Sequence, residues 1–112
     1  MSETQNINSV ENLENILNSE IAVLLYFNTT SCNVGESLEP KVKNLLISNF
    51  PKINFYTIDL NFSPEIAAKY SAFVEPTILL FFEGKETIRK SRNIGIYELQ
   101  KAIERPYHLI FE

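Results

Sequence analysis

Cys32 is the one cysteine in this chain of 112 residues, and it stands in the stretch Ser31-Cys32-Asn33-Val34-Gly35. A thiolate attacks disulfides and joins its partner in a mixed disulfide. Free backbone donors at a helix N-terminus lower a thiol's pKa, and Cys32 falls three or four residues ahead of a helix body predicted from Glu36. Glu36 acts against ionisation by placing a carboxylate nearby, and no Lys, Arg or His stands close in sequence to oppose it. A modestly activated thiol follows. The alternative is a small buried hydrophobe, the commonest role of a free cysteine. One Cys and one His, His108, cannot build a structural zinc site, so no metal is expected. His108 reads as a surface or tail residue.

The elements that must position Cys32 follow from periodicity. Asn8 opens Asn-Ser-Val-Glu, a capping-box pattern with Glu11, and Ile7 ahead of it suits a hydrophobic staple. Val10, Leu13, Ile16 and Leu17 then recur at helical spacing. The run 22–27 (AVLLYF) is continuously apolar, as in a strand covered on both faces. Leu38, Val42, Leu45, Leu46 and Phe50 mark a second helix, in which Pro40 predicts a kink. Residues 53–60 form a strand rich in aromatic and β-branched residues. Ser63 and Pro64 open a short helix, and 77–82 (TILLFF) is a second buried strand. Glu83-Gly84-Lys85 predicts a hairpin turn into a charged last strand. The final helix starts near Gly95, carries Ile96, Leu99, Ala102 and Ile103 inward, and is expected to end at Pro106, leaving residues 107–111 to dock. Residues 1–6 are polar and expected to fray. Strand–helix alternation followed by a strand pair specifies an α/β domain over residues 1–112, a central mixed sheet with helices on both faces.

The formal charge of −4 and an ordinary apolar share provide no global field for nucleic acid or anionic lipid. Arg89-Lys90-Ser91-Arg92 is too short for a nucleic-acid patch and reads as a solvated edge strand. Apolar runs are too short to span a membrane, and the N-terminus lacks the pattern of a secretory signal. Neither nucleic acid nor membrane is therefore expected as a partner, and a reducing cytoplasmic setting is the default.

With these residues in place, the chain resembles the thioredoxin family. The resemblance covers residues 8 to about 105. It rests on the apolar strand ending in Tyr26-Phe27 five residues before Cys32, Pro40 eight residues after it, Val74-Glu75-Pro76-Thr77 ahead of a buried strand, and the hairpin Phe81-Phe82-Glu83-Gly84-Lys85-Glu86. It implies the thioredoxin-like fold, a cis peptide before Pro76, and a site in which Cys32 is the attacking thiol. Ser31, Asn33, Val34, Gly35, Glu75 and Pro76 would then face the substrate, with the Glu75 carboxylate raising the thiol pKa. The departures are specific: Gly35 occupies the place of the family's second cysteine, Ser31 that of a tryptophan, and Tyr26 that of a buried acid.

Two functions are consistent with these residues. One is a monothiol redox protein acting on protein thiols or disulfides, with glutathione or another external thiol completing the cycle because Gly35 has no thiol. The other is a non-catalytic module that binds an extended peptide segment beside Pro76. A glutaredoxin-like iron–sulfur role is disfavoured, because Cys-Asn-Val-Gly does not match the usual Cys-Gly-Phe-Ser. No cofactor is expected.

Overall fold

A computed structural model describes residues 5–7, 9–29, 33–61 and 63–111. Its centre is the strand Ala22–Asn28, buried along its whole length. Numbered in chain order, the elements are β1 Gln5–Asn6, α1 Val10–Ser19, β2 Ala22–Asn28, α2 Asn33–Asn49, β3 Asn54–Asp59, α3 Pro64–Tyr70, β4 Thr77–Phe82, β5 Lys85–Ser91 and α4 Ile96–Phe111. The sheet runs in the order β1-β3-β2-β4-β5, with β1, β3 and β2 parallel and β4 and β5 antiparallel.

The two-residue period of β2 divides the core. Ala22, Leu24 and Tyr26 join Leu38, Val42 and Leu46 of α2 and Leu99, Ile103 and Tyr107 of α4 on one face. Val23, Leu25 and Phe27 join Leu13 and Leu17 of α1 and Ile66 of α3 on the other. The same alternation runs through β4: Ile78, Leu80 and Phe82 face α2 and α4, while Leu79 and Phe81 face α1 and α3. Polar residues enter these two strands only at the end they share, as Thr77 and Asn28.

Several expectations are corrected. The start is not frayed at Gln5 and Asn6: they pair with Tyr56 and Thr57 as β1, and Ile7 behind them is buried and donates its N–H to the Thr57 carbonyl at 2.9 Å. The α1 cap is Ser9, whose hydroxyl accepts the Asn12 N–H at 3.1 Å, while Asn8 lies outside the described residues. Helix α2 starts at Asn33, not Glu36, and holds Pro40 inside it. Ser63 stands at the N-cap position of α3, but its side chain makes no capping bond.

Pro106 does not end α4, which continues to Phe111. An internal proline costs about 3 kcal/mol. Against that, Tyr107 is buried and packs against Phe50 and Phe111, with ring centroids at 5.0 and 4.8 Å. Its hydroxyl also accepts the Lys52 N–H at 3.2 Å. Burying one aromatic side chain is worth about 3 kcal/mol at most, and each aromatic pair adds about 1 kcal/mol, so burial and the two ring contacts together offset the proline. Residues 107–111 therefore dock as helix rather than as a loose tail.

Candidate functional site

The site end of the sheet is set by register. Phe27 of β2 pairs with Thr77 of β4, so the chain leaving β2 and the residues entering β4 emerge side by side. Pro76 is buried and its peptide bond to Glu75 is cis. Thr29 follows β2 and donates its hydroxyl to Glu75 Oε1 at 2.8 Å, tying the two segments together. The Thr77 hydroxyl donates to the Val74 carbonyl and closes the turn that carries Pro76.

From the other side, β5 holds the same turn. Arg92 has φ 65° and donates its backbone N–H to the Pro76 carbonyl at 3.0 Å. Arg89 reaches back to the end of α3, donating to the carbonyls of Tyr70 at 2.7 Å and Ser71 at 3.2 Å, and pairs with Glu86. The solvated edge strand is thus also a clamp on the segment running from α3 to Pro76.

Of the expected site residues, Glu75 and Pro76 stand in the turn held by Thr29 and by the Arg92 backbone. Asn33, Val34 and Gly35 contribute the first turn of α2 by their backbone. Their side chains lie outside the described ones, as do Ser31 and Cys32 altogether. Cys32 joins directly to Asn33, so α2 starts closer in sequence to position 32 than its apolar periodicity indicates. Tyr26, where the resemblance places a buried acid, is fully buried and packs beside Phe55 with ring centroids 6.0 Å apart. His108 is exposed on α4.

Three features were not legible as site components. Thr29 reads as a loop residue, yet it anchors Glu75. Asn28 and Ser63 are 9% and 1% exposed, and Asn28 Oδ1 and Ser63 Oγ have no hydrogen-bond partner among the described residues. Arg92 supplies a cation from far along the chain. A hairpin counted from the turn would place Ser91 opposite Pro76. An irregularity between Leu80 and Phe81 shifts the pairing by one residue and brings Arg92 there.

Beside this turn runs an open groove of about 580 Å³ between α2 and the segment joining β5 to α4, with Lys41 and Arg92 among its lining residues. Among the described residues, no group of His, Cys, Asp and Glu is arranged to hold a metal ion, and no helix is long and apolar enough to cross a membrane.

The Thioredoxin family model matches residues 4–105. A thioredoxin-like protein of Bacillus subtilis, YdfQ, is 27% identical over 97% of this chain and 96% of its own. The thioredoxin of Chlamydia trachomatis is 30% identical over 73% of this chain and 76% of its own. The crystal structure of mitochondrial thioredoxin 3 from Saccharomyces cerevisiae superposes with a TM-score of 0.82 at 20% identity, covering 90% of this chain and 93% of that one.

Proposed function

We propose that this chain, which belongs to the thioredoxin family, is a thiol-redox protein working through Cys32 alone. The observation that carries the reading is the pairing of Phe27 with Thr77, which brings Asn28 and Thr29, leading towards Cys32, and the Glu75–Pro76 turn to one end of the sheet. The start of α2 at Asn33 supports it, because free N–H groups in a first turn favour a thiolate joined to them.

The Cys32 thiolate attacks a substrate disulfide, forming a mixed disulfide and releasing one substrate thiolate. Gly35 cannot supply an intramolecular thiol. An external thiolate such as glutathione then attacks the Cys32 sulfur, releasing the second substrate thiol and leaving Cys32 joined to glutathione. A second glutathione restores the Cys32 thiolate and leaves as the glutathione disulfide. One substrate disulfide becomes two thiols, and two glutathiones become one disulfide. A reducing cytoplasm suits this cycle, since it keeps a lone thiol reduced.

The test is intact-mass analysis of the reduced protein after exposure to oxidised glutathione, together with turnover of a protein disulfide. The expected result is one glutathione adduct, absent in Cys32→Ser, with turnover that requires glutathione. An unmodified Cys32 under conditions that modify a free-thiol control would overturn the reading.

Phe73 favours a second reading, a partner-binding module without redox turnover. It is 71% exposed three residues before Pro76, an apolar surface that a bound segment would cover. Undiminished partner binding by Cys32→Ser, with an inert thiol in the native protein, would select it. Both readings seat a partner segment along the edge beside Pro76.

A further inference from the structure

We propose that the groove between α2 and the β5–α4 connection seats an acidic flank of the partner segment that lies along the Pro76 edge. This inference rests on the partner-binding edge shared by both readings above. The groove is lined by Ser37, Leu38 and Lys41 on α2 and by Arg92, Asn93 and Ile94 across from them. Leu38 and Ile94 supply apolar floor, Ser37 and Asn93 are polar, and Lys41 and Arg92 are exposed cations. Neither cation forms an ion pair among the described residues, whereas Lys69 pairs with Glu14 and Arg89 with Glu86. Glu98 also borders the groove, but its carboxylate folds back on the start of its own helix, with Oε1 at 3.0 Å from where a Cβ of Gly95 would stand. An acid in the first turn answers that helix's own free donors.

The groove is continuous with the edge through Arg92, whose N–H is bonded to the Pro76 carbonyl. Charge then gives the edge a direction. Sheet order places β4 between β2 and β5. Glu75 is tied to Thr29 on the β2 side, and Arg92 stands on the β5 side. A segment crossing Pro76 meets a carboxylate on one flank and two cations on the other. Acidic residues are accepted on the β5 flank and repelled on the β2 flank, an arrangement that sets specificity and encounter rate. The chain as a whole carries −4, so a cationic groove is a local exception on an acidic molecule.

The test uses the full reduced chain and cysteine-free peptides with one shared Val-Ser-Ile core, flanked at one end by a run of aspartates, asparagines or lysines. Binding is followed by amide chemical shifts at low and at high salt. The aspartate peptide is expected to bind roughly tenfold more tightly than the lysine peptide at low salt, with shifts at Ser37, Lys41, Arg92 and Asn93 and the preference lost at high salt. Lys41→Glu with Arg92→Glu should reverse the order, and Lys41→Gln with Arg92→Gln should abolish it, each with an unchanged circular dichroism spectrum. Equal binding of all three peptides, with shifts confined to Val74–Thr77, overturns the groove inference and leaves the Pro76 edge intact. No binding by any peptide overturns both.

Discussion

Two carboxylates at opposite ends of the central strands are held in different ways. At the end where β2 and β3 begin, Glu20 accepts the Tyr56 hydroxyl at 2.6 and 2.8 Å and the Asn54 side-chain amide at 2.7 Å. At the end where those strands finish, Glu75 accepts the Thr29 hydroxyl, and the same end of the sheet holds Asn28 Oδ1 and Ser63 Oγ, which have no partner among the described residues. The first network closes on itself and joins α1 to β3. The second leaves buried polar capacity unused, among the described residues, at the end of β2 and the start of α3. A closed polar network rigidifies a fold, whereas an unsatisfied buried acceptor is a standing cost. The molecule therefore fastens one end and keeps its open polar groups at the other.

Substitutions should expose that asymmetry. The largest effect is expected between the two ends, at Tyr26→Asp, which returns the kind of residue the thioredoxin resemblance implies there. It leaves a void and buries a carboxylate in an apolar layer, and should lower stability by about 3 kcal/mol or more in urea unfolding at neutral pH. Loss of only a few tenths would show that water reaches this layer. At the fastened end, Glu20→Ala should cost about 2 kcal/mol, because the Tyr56 hydroxyl and Asn54 amide lose their acceptor together. Equal melting temperatures for variant and native protein would break the contrast drawn above.

The same end should carry an alkaline signature. Burial, first, and then the hydrogen bond and charge of Glu20 raise the Tyr56 pKa above its usual 10.0. The unfolded chain then releases the phenolic proton before the folded one does. The stability tied to this group is complete below pH 10 and declines as pH rises from there towards the folded pKa. Tyr56→Phe should flatten that decline while lowering stability at neutral pH. An identical alkaline slope in the variant would assign the decline to other groups.

The smallest effects should come from two serines in equivalent cap positions. Ser9→Ala removes a hydroxyl that accepts the Asn12 N–H and should cost about 1 kcal/mol. Ser63→Ala removes a buried hydroxyl with no partner among the described residues and should change stability by less than about 0.5 kcal/mol. If the two cost the same in chemical unfolding, Ser63 is bonded in solution and the site end is less open than its geometry indicates.

Much of the architecture was legible because it depends on local period. The unbroken apolar runs AVLLYF and TILLFF identify strands covered on both faces, and the spacing of Leu38, Val42, Leu45 and Leu46 identifies the helix packed on one of those faces. The hairpin at Glu83-Gly84 was legible from its turn residues. Both adopt positive φ, 55° and 80°, as a two-residue turn between twisted strands requires. Breakers misled where long-range packing overrode them: Pro106 reads as a stop, but Tyr107 has Phe50 to cover it. Strand β1 escaped because two polar residues carry no period, and their pairing with β3 is supplied by distant backbone.

The residue types alone decided that no second thiol stands at position 35, that the strand core carries Tyr26 instead of an acid, and that the chain alternates strands and helices. Those properties are local, fixed by side-chain chemistry and by periods of two and 3.6 residues. Folding decided the rest of the site: that Thr29 holds Glu75, and that one irregularity in the β4–β5 ladder puts Arg92 rather than Ser91 against Pro76. Such meetings join residues far apart in sequence. They depend on register, and a shift of one residue exchanges which side chain arrives.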